Sequence, residues 1–166
     1  LARLQLMTDN HEAFRRPEVH IVASVPEHVA MLKNNLREED RQEILRFGIT
    51  IERAVWRSYR RSYQARTAFV DGEIAAMWGC NGNFLGTGRP WLLTTAAVKN
   101  ISPLTFIRIY QQEVEDMLGV FPVLANYVDA SYNSAIRALE IIGFDIGEPE
   151  PIGFKNELYR KFEMRA

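Results

Sequence analysis

Residues 127–144 read Y-V-D-A-S-Y-N-S-A-I-R-A-L-E-I-I-G-F, and this stretch decides the fold. The chain entering it, Pro122 to Asp129, alternates apolar and polar side chains, the period of a half-buried strand. Asn133 stands where a helix cap belongs, and Ile136, Leu139 and Ile142 then share one face of a helix over 133–142. Gly143 supplies the positive φ that ends such a helix, and Gly143-Phe144 returns the chain to a sheet. The unit is strand, helix, strand.

Upstream, Leu104 to Leu118 carries Phe106, Ile109, Val114 and Met117 at helical positions, preceded by a strand over Trp91-Leu92-Leu93-Thr94-Thr95. Ala65, Thr67 and Phe69 alternate, then Ile74, Ala76 and Trp78. Asp71-Gly72 between them predicts a tight hairpin turn with positive φ. Gly79 to Gly88 reads as a glycine-rich connecting loop. Further back, Val19 to Ser24 is a β-branched strand, and Pro26 suits a first helical turn with Ser24 as its cap. Val29, Leu32 and Leu36 continue that helix, Glu38-Glu39-Asp40 interrupts, and Ile44, Leu45 and Phe47 form a second stripe ending at Gly48. Thr50 caps a third helix with Ile51, Val55 and Tyr59 inward. The last strand is expected over Leu158–Met164. The order predicts an α+β fold, a mixed central sheet flanked by helices. Residues 1–17 read as a polar lead-in and residues 18–166 as one domain.

The chain has 166 residues, 47% apolar and 25% charged, which suits one globular core and argues against disorder as its main state. No apolar run approaches the roughly 20 residues of a membrane-spanning helix, and Leu1–Arg16 lacks a signal-peptide stretch. Cys80 is the single cysteine, so no internal disulfide or multi-cysteine zinc site is expected. His11, His20 and His28 show no metal spacing, and no metal is expected. The net charge of −1 argues against a general nucleic-acid coat protein. Sixteen of the twenty basic residues are nevertheless Arg, the fork-shaped donor suited to carboxylates and phosphates.

The element order, with Asn133, the Ala-Ile-Arg helix and Gly143-Phe144, resembles the GNAT (Gcn5-related N-acetyltransferase) fold over nearly the whole chain. Three blocks, Asn34 to Glu43, Pro90-Trp91-Leu92-Leu93 and Asn126-Tyr127-Val128-Asp129, are similar to those of an acetyltransferase-like internal virion protein family of autographivirus-type short-tailed bacteriophages. The fold resemblance implies acetyl-CoA as cofactor, its pyrophosphate on a turn of the form Arg/Gln-x-x-Gly-x-Gly/Ala that opens the central helix. The corresponding stretch here is Lys99-Asn100-Ile101-Ser102-Pro103-Leu104. Lys99 stands in the basic place, Ser102 and Leu104 replace the glycines, and Pro103 deletes a donor N–H. Lys99, Ser102 and Asn133 are the candidate contacts to an acyl carrier. The family's general-acid tyrosine falls on Leu139, so Tyr127 and Tyr132 are left as candidate catalytic groups.

Arg53, Arg57, Arg60 and Arg61 recur at helical spacing, with Arg66 beyond them and Trp56, Tyr59 and Tyr63 interleaved. They are the only candidate phosphate or acidic-protein patch, against the ordinary alternative of a solvated face. Glu113, Glu115 and Asp116 read as an exposed acidic face, and Cys80 as a small buried apolar residue. Two functions follow from the resemblance. One is a phage internal virion or assembly protein on a GNAT-like scaffold with a degenerate acetyl-CoA site, acting with virion or host proteins in the host cytoplasm or inside the particle. The other is an acetyl-CoA-dependent N-acetyltransferase modifying a host or phage amine.

Overall fold

The computed structural model describes residues 15–83, 85–153 and 155–166. Most of the expected lead-in, His11 included, lies outside them. The chain runs β1 (Val19–Ala23), α1 (Pro26–Asn35), α2 (Glu38–Arg46), α3 (Ile51–Arg61), β2 (Ser62–Val70), β3 (Glu73–Gly82) and β4 (Thr87–Thr94). A 3-10 turn, Ala96–Asn100, leads to α4 (Pro103–Leu118), then β5 (Val123–Asp129), α5 (Asn133–Ile142), β6 (Asp145–Ile152) and β7 (Glu157–Arg165). One sheet holds all seven strands in the order β1-β2-β3-β4-β5-β7-β6. Only β4 and β5 are parallel, joined through the α4 crossover. The α+β reading with a mixed central sheet is correct.

The helices divide between two faces. Val29, Leu32, Leu36, Ile44 and Val55 from α1–α3 pack with Ile74 and Met77. Tyr110 and Val114 of α4 and Ile136 of α5 pack on the other face with Trp78, Leu124, Val128 and Phe162. Asp71 and Gly72 take φ of 48° and 82°, the left-handed pair expected of the hairpin turn. Gly143 has φ 117° and closes α5, with Phe144 N–H donating to Leu139 O at 3.0 Å.

Several local readings need correction. The acids Glu38, Glu39 and Asp40 do not interrupt a helix; they form the first turn of α2, where carboxylates complement the helix dipole. The residue before Pro26 is Val25, so Val25 is the N-cap of α1, while the Ser24 hydroxyl hydrogen-bonds Thr67. Thr50 does cap α3, accepting from Arg53 N–H at 3.3 Å. Asn133 is not a cap: Tyr132 holds that position, and Asn133 is the first helical residue.

The connecting loop is shorter than expected, because β3 runs on to Gly82 and β4 begins at Thr87, leaving only 83–86 between the strands. Gly79, Gly82 and Gly88 are there for close packing, while Gly86 takes a positive φ in the turn. A Cβ on Gly88 would stand 2.6 Å from Cys80 Sγ and 2.8 Å from Leu124 Cδ2. Gly88→Val is therefore expected to overpack this junction and cost about 1–3 kcal/mol in thermal or urea unfolding. An unchanged midpoint would show that the junction yields.

Candidate functional site

The two parallel strands stay together for only two residue pairs, Thr87 with Val123 and Gly88 with Leu124, and then split. The sequence causes the split. Along β4 the even-numbered residues turn their backbone groups away from β3, as the contacts of Pro90 and Thr94 show. Pro90 therefore presents no N–H where a continuing β5 ladder would need a donor. Its carbonyl accepts instead from Asn126 Nδ2, 2.8 Å away on β5. At the open end, Thr94 O accepts from Arg37 N–H at 3.0 Å, and Asp40 Oδ2 accepts from Thr94 N–H at 3.0 Å and from its hydroxyl at 2.8 Å. Between these points Leu92 turns its N–H and C=O into the split, and no described residue pairs with them.

Helix α2 lies across the split. Asp40, Glu43 and Arg46 recur every three residues and so share a face. Asp40 is fixed to Thr94 on β4, and Arg46 is ion-paired to Asp129 on β5. Glu43 lies midway between them on the same side of the helix. Ile44 is the one buried apolar residue of this helix, so its seat on the sheet is largely polar. Burial, with the Asp40 carboxylate beside it and Arg46 only partly compensating, pushes the Glu43 carboxyl up to about 7. Burial also raises Asp40, against the hydrogen bonds from Thr94.

Tyr132, at the start of α5, joins the network. Its hydroxyl accepts from Arg37 Nη2 at 2.6 Å, and burial raises its pKa. The Arg37 Nε is buried without a hydrogen bond, 3.7 Å from the Asp40 carboxylate. Beside α2 opens a cleft of about 100 Å³ lined by Arg46, Phe47, Gly153, Lys155, Glu157 and Tyr159, among others. Tyr159 is raised by burial and by Glu43, which places the carboxylate's field at the cleft wall.

The structure brings only part of the expected site together. Tyr132 is in the network, whereas Tyr127 is exposed on β5, opposite Lys161 of β7. Lys99, Ser102 and Asn133 all lie past the C-terminal ends of the two split strands, but no hydrogen bond or ion pair between described residues joins them. Ser102 is the N-cap of α4, its hydroxyl accepting from Thr105 N–H at 3.2 Å. With Pro103 lacking a donor and Phe106 N–H bonded to Ser102 O, Leu104 keeps the one free N–H of that first turn.

The other constellations resolve simply. Cys80 is buried, its thiol pushed up to about 12 by burial, and is inert. No group of three or more metal-ligating side chains occurs among the described residues. Glu113 is not part of an exposed acidic face: it accepts from Trp78 Nε1 at 3.0 Å and pairs with Arg66 at 3.5 Å, while Glu115 and Asp116 are exposed. That pairing withdraws Arg66 from the arginine series. Arg53, Arg57, Arg60 and Arg61 are all exposed.

Arg37, Asp40, Glu43, Arg46 and Asp129 were not singled out as site residues by the sequence. The available signal was the i, i+3 spacing of Asp40, Glu43 and Arg46 on the side of the helix that carries Ile44.

No family model and no curated protein sequence matches this chain. Solved structures do. A GNAT-family acetyltransferase from Streptococcus pneumoniae aligns with a TM-score of 0.63 at 14% identity, covering 90% of this chain and 99% of that one. A chimera of the Vibrio cholerae spermidine N-acetyltransferase SpeG with hSSAT gives 0.67 at 7% identity, over 89% and 95%. The aminoglycoside acetyltransferase AAC(6')-Ib in complex with coenzyme A gives 0.63 at 15% identity, over 90% and 95%. The chain has the GNAT, or acyl-CoA N-acyltransferase, fold. Identities this low establish the fold alone.

Proposed function

We propose that this protein is an acyl-CoA-dependent N-acyltransferase in which Glu43 takes the proton from the attacking amine. The observation that carries the reading is the place of Glu43 on α2 between Asp40, fixed to β4, and Arg46, paired to β5, with its carboxyl pushed up to about 7. An amine is an ammonium at neutral pH and must lose a proton before it attacks. A carboxylate of ordinary pKa is too weak a base, whereas one near 7 is matched to the task.

Acetyl-CoA fits the described residues unevenly. The unpaired N–H and C=O of Leu92 suit the amides of a pantetheine arm lying in the split, as a strand edge suits an added strand. The start of α4 offers the diphosphate less, Leu104 N–H and the Lys99 side chain. When bound, the cofactor supplies an activated acyl carbon and a thiol leaving group. The chain's own residues do the rest. Glu43 accepts the proton of the incoming amine, and Arg37 orients the Tyr132 hydroxyl within the same network.

Isothermal titration with acetyl-CoA tests the cofactor. Binding in the micromolar range, weakened about fivefold in Lys99→Ala as expected for one exposed charge contact, supports the reading. No heat up to millimolar ligand overturns it.

A second reading rests on the lean first turn of α4, where Ser102, Pro103 and Leu104 stand in place of a glycine turn. In it the protein keeps the scaffold without the transfer and serves as an internal virion or assembly protein of a phage, in the host cytoplasm or in the particle. Mass spectrometry of purified particles and assembly intermediates tests this; absence at every stage removes it.

A further inference from the structure

Helix α3 turns Ile51, Ala54, Val55 and Tyr59 inward and leaves Glu52, Arg53, Trp56, Arg57, Arg60 and Arg61 exposed. Glu52 pairs with Lys33 at 3.1 Å, and none of the four arginines forms an ion pair with a described residue. The Arg60 guanidinium lies over the Trp56 ring, 6.0 Å from its centre, while Trp56 remains 39% exposed. Tyr63 follows at the start of β2, 68% exposed. That ring packs edge-on against Phe121 on the α4 side of the sheet, so the α3 face is a row of unpaired guanidinium forks with one open aromatic ring, Trp56, and no exposed aliphatic side chain.

We infer that this face of α3 binds single-stranded polynucleotide, with arginines on the phosphates and Trp56 stacking on a base. Three features favour this over an acidic polypeptide. A protein interface of ordinary strength needs an apolar, water-excluding centre, and no Leu, Ile, Val or Met is exposed on this face. Arg53 to Arg61 spans about 12 Å of helix axis, the length of about two nucleotides of an extended strand. An exposed ring beside arginines is what a strand of bases uses, since every base has a face to stack. The net charge of −1 keeps the rest of the surface from attracting polyanions generally, so binding is confined to this row.

Fluorescence anisotropy of labelled oligouridylate and oligothymidylate strands of about twelve nucleotides, titrated with the whole chain at low salt, tests the inference. The expected result is saturable binding whose log K falls with log salt at a slope near −2, about −0.7 for each of about three phosphates within reach of the row. Trp56→Ala is expected to weaken binding roughly tenfold with the slope unchanged, through loss of one stacked base. Arg57→Gln with Arg60→Gln is expected to halve the slope. Both changes are on the surface, so an unchanged unfolding midpoint shows that the fold is intact. A difference between the two strands assigns RNA or DNA as the preferred form. No anisotropy change at low salt overturns the inference. So does binding that polyglutamate matches, or that survives Trp56→Ala undiminished, because a polyanionic polypeptide then explains the face. Equal affinity for duplex overturns the stacking role.

Discussion

Glu43→Gln is expected to slow acyl transfer by roughly 10² to 10⁴-fold, the usual contribution of a positioned base, and to abolish an inflection in the rate near pH 7. The wild-type rate should rise with pH through that value as the carboxyl of Glu43 ionises. A second readout does not depend on activity. The carboxyl of Glu43 is raised from 4.5 to about 7 on folding, so between these values the folded state holds more proton than the unfolded one. Stability must then fall as pH rises from about 4.5 to 7, and stay lower above it. Asp40, also raised, adds in the same direction. At 1.36 kcal/mol per pKa unit the Glu43 contribution is about 3 kcal/mol at most. Glu43→Gln removes it, so the variant should match the wild type near pH 4.5 and exceed its Tm by roughly 5–10 °C at pH 8. A more stable variant with unchanged turnover would mean that Glu43 is a buried carboxylate but not the base. Equal Tm at both pH values would mean that its charge is well solvated, and the proposed role would fall with it.

The sheet was legible because its signals are local. Asp71-Gly72 and Gly143 demand positive φ, and both have it; Asn133–Ile142 is a helix over the expected residues. The misreadings came where a residue's partner is remote. Gly79 and Gly88 looked like loop glycines because their neighbours, Ser62, Cys80 and Leu124, cannot be inferred from adjacent sequence. Glu113 looked solvated because Trp78 and Arg66, its partners, lie 35 and 47 positions upstream. The candidate site failed to appear for the same reason. Asp40 meets Thr94, Arg46 meets Asp129 and Arg37 meets Tyr132, contacts that only the crossing of α2 over the split creates. A family pattern directs attention to the glycine turn and the tyrosine on α5, where this chain is poorest. Its titratable chemistry sits instead on a helix whose acids resemble an ordinary dipole-complementing first turn.

The largest stability loss is expected from Asp40→Ala. The substitution would leave Thr94 N–H without its acceptor in a buried position and strand the Arg37 guanidinium, whose Nε already lacks a hydrogen bond. Removing one member of a buried ionic contact costs about 3–5 kcal/mol, because the remaining groups stay desolvated and unpaired. For a chain of this length that is a fall in Tm of roughly 10 °C or more. Asp40→Asn keeps an oxygen for Thr94 N–H and should lose clearly less. The effect should also be local. With Ile44 its single buried apolar residue, α2 depends on Asp40 and Arg46 for its seat, so its amides should exchange faster in Asp40→Ala while those of β3 and α4 stay protected. Under the acyltransferase reading, the same change frees Thr94 N–H beside Leu92 and lengthens the unpaired edge of β4. Acetyl-CoA should then bind more tightly to the folded fraction even as the fold weakens. Stability and cofactor affinity moving in opposite directions would identify α2 as a clasp over the split. Falling together, they would mean that Asp40 builds the cofactor site rather than covering it.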